Sequence, residues 1–168
     1  MKIRTMLAIL LSINFSFSYA QNERENREEF KLELAINKKQ YYEQKIESSP
    51  YFVRENVLQI YPGEKLFIEV EIDKKEVTAM KVVSENLNPE KTIEVEFTQK
   101  VKDKKNEMML LKVVNPFKKS LDYKAMMFIV GHDDWISTKI PPVKAKLFGV
   151  ATWPDVVITL VLLDWKLK

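Results

Sequence analysis

The residue types best suited to chemistry come closest together at Gly131-His132-Asp133-Asp134, where the only histidine precedes two carboxylates, with Ser137 and Thr138 just beyond. One imidazole and two carboxylates are ligand types for a divalent metal, but a metal centre needs three or four converging ligands. Consecutive aspartates point to opposite sides of an extended chain, and the same run makes an ordinary turn after Val130. The turn is the expectation, with no metal and no cofactor. Hydrolase and nucleotide signatures are missing: the chain has neither Gly-x-Ser-x-Gly nor His-Glu-x-x-His, and three glycines form no phosphate loop. With no cysteine, thiol nucleophiles, iron–sulfur clusters and cysteine-ligated zinc are ruled out. A glycosidase-like acidic pair leaves no linear signature, because its carboxylates meet in space. Most glutamates here alternate with apolar residues, as on a solvated sheet face. A non-enzyme with no catalytic residue is therefore expected, and an envelope hydrolase with an acidic pair is the weakest alternative.

The three tryptophans offer stacking. Trp165 continues the series Val157, Thr159, Val161, Leu163 and is expected in the core or at its edge. Trp153 precedes Pro154 in a turn and Trp135 follows the aspartate pair, so these two are candidate exposed aromatics, able to stack on a sugar ring or grip a peptide. The plainer reading is that each caps an end of the core.

The elements that must position such residues are strands. Phe30, Leu32, Leu34 and Ile36 alternate with Lys31, Glu33 and Ala35, as a half-buried strand requires. Leu66, Ile68, Val70 and Ile72 repeat the pattern after the turn signal Tyr61-Pro62-Gly63-Glu64. Further runs at 77–83, 92–98, 107–114, 121–130, 143–150 and 156–167 are separated by turn chemistry such as Lys102-Asp103-Lys104-Lys105-Asn106 and Asn115-Pro116. About seven to nine short antiparallel strands with almost no helical stretch argue an all-β chain, a single β-sandwich over 30–168.

The stretch Met109 to Met127, a strand ending in Asn115-Pro116, a polar turn, then Leu121-x-Tyr123-x-Ala125, resembles strand pairs in immunoglobulin-like domains of bacterial envelope proteins. It covers about a ninth of the chain, and it implies an immunoglobulin-like β-sandwich rather than a function. The Cys and Trp core signature of antibody-type domains is absent, so the resemblance is to the disulfide-free sandwiches.

Residues 1–20 read as a helical signal peptide: Lys2 and Arg4, an apolar run from Met6 to Ile13, and small residues at Ser18 and Ala20. A spanning helix needs roughly 20 apolar residues, and Ser12, Asn14, Ser16 and Ser18 interrupt the run. Cleavage after Ala20 leaves 148 residues with no transmembrane segment, destined for the periplasm or the medium, with 25 basic against 24 acidic side chains. Lysines interleaved with glutamates make no basic face, which argues against nucleic acid. Residues 21–29 carry no apolar side chain and read as a charged, flexible leader.

The anomaly lies in the last third. Val156, Ile158, Leu160 and Leu162 stand opposite Val157, Val161 and Leu163, and Phe128, with Met126 and Val130, stands opposite Tyr123, Ala125, Met127 and Ile129. Both sheet faces are apolar there. Baring one would forgo on the order of 10 kcal/mol of burial and exceed the apolar patch a monomer ordinarily shows. Either the chain covers itself with Tyr41, Tyr42, Ile46, Tyr51 and Phe52, or a partner does, another envelope protein or a second copy, through a donated strand or by packing. Phe128, Val156, Ile158, Leu160 and Leu162 would be the contact face. The expectation is an exported domain that acts by binding protein, with a carbohydrate-binding module using Trp135 and Trp153 as the alternative.

Overall fold

The computed structural model describes residues 25–168. The expected signal peptide and the first part of the leader lie outside the described residues. The rest is all-β. In chain order the strands are β1 (Asn26–Arg27), β2 (Phe30–Asn37), β3 (Gln40–Ile46), β4 (Ser49–Pro50), β5 (Phe52–Arg54), β6 (Val57–Ile60), β7 (Lys65–Asp73), β8 (Glu76–Val83), β9 (Thr92–Lys102), β10 (Lys105–Val114), β11 (Leu121–Ile129), β12 (Ile136–Thr138), β13 (Phe148–Trp153) and β14 (Val157–Leu167). Nine of them have six residues or more, and all their pairings are antiparallel.

One hydrogen-bonded path runs β12-β11-β14-β8-β7-β9-β10-β13, with β6 added to β14 and β5 to β6. Only the pair Lys166–Glu76 joins β14 to β8, so the path folds there into two layers, β12-β11-β14-β6-β5 and β8-β7-β9-β10-β13. Alternate residues of both layers meet in one core: Leu66, Ile68, Ile93, Val95, Phe97, Met109 and Leu111 from one, Leu58, Ile60, Leu121, Ala125, Leu160 and Leu162 from the other. This is a β-sandwich with open edges. The β9–β10 turn has Asp103 and Lys104 both at positive φ (50° and 61°), the geometry that matches strand twist in a two-residue hairpin loop.

Strand β14 departs from simple alternation twice. Phe128 pairs with Thr159 but Ile129 pairs with Val157, so Ile158 is an extra residue; Asp122 pairs with Lys166 but Lys124 with Leu163, and Asp164 in between has φ 57°. Each bulge flips the phase of every side chain beyond it. The inward set is therefore Val157, Leu160, Leu162, Trp165 and Leu167, all in the main core. The expected inward series through Val161 and Leu163 is corrected accordingly: both lie half-exposed on the outer face.

Strands β2 and β3 form a separate two-stranded hairpin. Its Leu32, Leu34 and Ile46 bury against Ile158, flanked by Phe30, Tyr42, Tyr61, Phe128, Val130 and Val156. The hairpin packs at one end of the sandwich, where Tyr61, Phe128, Val130, Val156 and Ile158 gather at the ends of their strands, and β2 runs beside β10. At its far end the Ala35 N–H donates to Gln99 Oε1 (2.9 Å) and Gln99 Nε2 donates to the Ala35 carbonyl (2.8 Å), so one side-chain amide stands in for a neighbouring strand.

The leader is not free at its described end. Arg27, only 2 % exposed, has its Nε 3.0 Å from Glu64 Oε1 and donates to Ser49 Oγ, Pro50 O and Gln59 O at 3.0, 3.0 and 2.7 Å. Its guanidinium lies over the rings of Tyr51 (4.8 Å) and Tyr61 (5.0 Å). Residues 25–29 have no apolar side chain to dock, and the chain is held there instead by the Arg27 guanidinium, hydrogen-bonded and set against two rings.

Candidate functional site

The expected contact face is mostly interior. Leu160 and Leu162 are fully buried in the main core, placed there by the Ile158 bulge, and Ile158 is buried beneath the hairpin. Phe128 and Val156 are half-buried against the same cluster. The chain covers this face itself, with β2 as well as β3. Of the aromatic segment expected to do so, Tyr42 and Ile46 take part, Tyr41 is exposed, and Tyr51 and Phe52 belong with the main core.

Trp153 is buried, not exposed: its ring stands edge-on to Phe97 (centroids 6.4 Å) and its Nε1 donates to Thr138 Oγ1 (2.9 Å). Trp135 is exposed at 42 % and leans on Phe128 at 5.5 Å. Trp165 is buried and stacks on Tyr123 at 4.7 Å. Residues 131–134 form an exposed turn in which the His132 N–H donates to Ile129 O (3.1 Å). Among the described residues no three His, Cys, Asp or Glu side chains gather as a metal site. A cleft beside Tyr123 and Trp165 is lined by Glu76, Asp122 and Asp164. Two of these carboxylates are ion-paired, Asp122 with Lys166 and Lys168, Asp164 with Lys124.

A surface that the sequence reading passed over is β13. It ends the main path, paired with β10 alone: Val113 faces Gly149, Lys112 faces Val150 and Leu110 faces Thr152. The chain is set into this position by Asn115, itself 1 % exposed. Its Nδ2 donates to the carbonyls of Lys119, Val143 and Lys144 (2.8, 2.9 and 3.1 Å), its Oδ1 accepts from the Phe117 N–H (2.9 Å), and its own N–H donates to Leu147 O (2.9 Å). Gly149 is required by close approach, since a Cβ there would stand 2.8 Å from Val143 Cγ2.

The Asn115–Leu147 bond also sets the phase of the strand. In an antiparallel ladder alternate residues bond to the same neighbour, so Leu147, Gly149, Ala151 and Trp153 turn their N–H and C=O groups toward β10. Phe148, Val150 and Thr152 turn theirs outward, and no hydrogen bond of the described residues reaches them. The same three residues are exposed, Phe148 at 62 % and Val150 at 48 %, and Leu147 beside them is 53 % exposed. Half-buried Leu110 and Val114 of β10 extend the apolar area, and Lys112 Nζ lies 5.3 Å from the Phe148 ring centre. From Leu147 to Trp153 the chain carries no charge.

Comparison with models of protein families, with curated proteins and with solved structures returns no match, so the reading of this edge rests on its own residues.

Proposed function

We propose that this chain is an exported, non-enzymatic domain of the cell envelope that works by protein–protein contact, and that the contact is made along β13. The observation that carries the reading is the coincidence on one strand of open backbone groups and exposed apolar side chains at Phe148 and Val150. Free strand edges in stable proteins are ordinarily blunted by charge, proline or brevity. An unblunted one is the template for strand addition, where the main chain supplies affinity and alternate side chains supply specificity. Export rests on the pattern of residues 1–20.

The test is a photo-crosslinking side chain placed at Val150 and, as a control, at Ala79, which is exposed on β8. Illumination of cells should give a protein adduct at Val150 and none at Ala79. Absence of any adduct at Val150 would defeat the reading.

A carbohydrate-binding role keeps one supporting feature, the exposed Trp135 against Phe128. Because Trp153 and Trp165 are buried, a change of tryptophan fluorescence on adding polysaccharide would report Trp135, and Trp135→Ala should abolish it.

A further inference from the structure

Resting on the reading of β13 as a contact edge, we infer that its partner is a second copy of this chain, joined to it strand to strand about a two-fold axis at Val150. An antiparallel pair of identical strands is isologous, so each copy offers the other the same surface. The register is set by the backbone. Only residues with outward N–H and C=O groups can bond, and on this edge those are Phe148, Val150 and Thr152. Val150 on the axis faces Val150 of the second copy, while Phe148 faces Thr152 and Thr152 faces Phe148. All three residues then bond on both copies. A shift of two residues in one direction leaves Thr152 facing Lys146, at positive φ (59°) in the turn before β13, and in the other leaves Phe148 facing Pro154, which has no N–H.

Charge and side chains agree with this orientation. The uncharged run is flanked by Lys144 and Lys146 on one side and Asp155 on the other. Antiparallel pairing brings Lys146 of each copy beside Asp155 of the second, whereas parallel pairing would set like charges together. Phe148 and Val150 stand on one face of the joined sheet, so each Phe148 lies diagonal to Val150 of the second copy, within reach of an aromatic ring. Two β8-β7-β9-β10-β13 layers become one continuous sheet.

The chain has no cysteine, which makes a single introduced thiol a clean reporter. Residues facing each other in a hydrogen-bonded antiparallel pair have Cα atoms about 5.5 Å apart, inside the span a disulfide accepts. The purified wild-type chain should show a dimer mass by light scattering. Val150→Cys should link into covalent dimer on mild oxidation while Ala79→Cys should not. Val150→Pro removes the N–H that crosses the axis without touching the β10 ladder, and should weaken association at least about tenfold with an unchanged far-ultraviolet spectrum. If that variant misfolds, Val150→Lys, which sets two like charges on the axis, gives the same readout. A monomer mass at every concentration reached, or equal linking at Val150 and Ala79, overturns the inference. If a monomer is accompanied by a Val150 photo-adduct to a different protein, only the self-pairing fails. If there is neither dimer nor adduct, the contact edge fails with it.

Discussion

The β2–β3 hairpin and β13 both present strand backbone that no ladder covers, and they are finished in opposite ways. The hairpin buries one face through Leu32, Leu34 and Ile46 and covers the other with charge. There Lys31 faces Lys45 and Glu33 faces Glu43 across the ladder, and the repulsion is relieved on the diagonals by Lys31–Glu43 and Lys45–Glu29, each 2.9 Å. These neighbours raise both lysines above the ordinary range, Glu43 foremost for Lys31 and Glu29 for Lys45. Strand β13 has no such dressing from Leu147 to Trp153. The difference follows from what holds each in place. A two-stranded hairpin is marginal by itself and survives by docking, so its outer side is free to be solvated. β13 is secured by its ladder to β10 and by Asn115, and its outer side adds only the Lys112–Phe148 contact and leaves Phe148 and Val150 exposed. Charge is absent where a second strand would have to lie.

The comparison can be broken from the inside outward. Leu160→Asp puts a carboxylate into the main core and should cost more than about 4 kcal/mol, seen as loss of a cooperative thermal transition; a folded variant would mean that β14 turns the other way. Arg27→Ala strands Glu64 and removes the anchor between Tyr51 and Tyr61, at about 3 kcal/mol in chemical denaturation. Leu34→Ala should cost about 2 kcal/mol, and hydrogen exchange should locate the loss in β2 and β3 while β9 and β10 keep their protection. Uniform loss of protection would show that the hairpin is core rather than lid. Val150→Glu should move stability by less than about 0.5 kcal/mol, while abolishing any association, because the site is exposed in the single chain.

The smallest effect concerns Glu69, on the outer face of the sheet that β13 ends. Asn88 donates to its carboxylate, and Lys91 and Lys81 lie at 3.4 and 3.9 Å, which lowers its pKa. A carboxyl depressed on folding adds stability above its unfolded pKa and loses it as pH falls through the folded value. Glu69→Gln should therefore flatten the acid limb of the stability–pH curve and leave the curve parallel to wild type at neutral pH.

Much of the strand content was legible because alternation is local. Leu66, Ile68 and Val70 are inward as their spacing indicates, and the Asp103-Lys104 turn falls where polar residues interrupt two apolar runs. The second apolar face was legible as a need for cover, though not as to its residues. Ile158 and Asp164 look like ordinary strand positions, yet each adds a residue that its partner strand lacks, and a bulge is defined by two strands rather than one. Trp153 was misplaced for a similar reason: a tryptophan beside Pro154 resembles a loop aromatic until Phe97 and Thr138 close around it.

By itself, the order of residues determined that residues 30–168 would be strand rather than helix, that the core would hold no disulfide, and that apolar residues around Ile158 would need cover. Those follow from side-chain period and type, which act within a few residues. Which segment became the lid, why Arg27 is buried, and that β13 rather than a longer strand lies at an edge were decided only by the tertiary structure. Edge, lid and interior are relations between segments far apart in the chain, and they exist only once the layers have met.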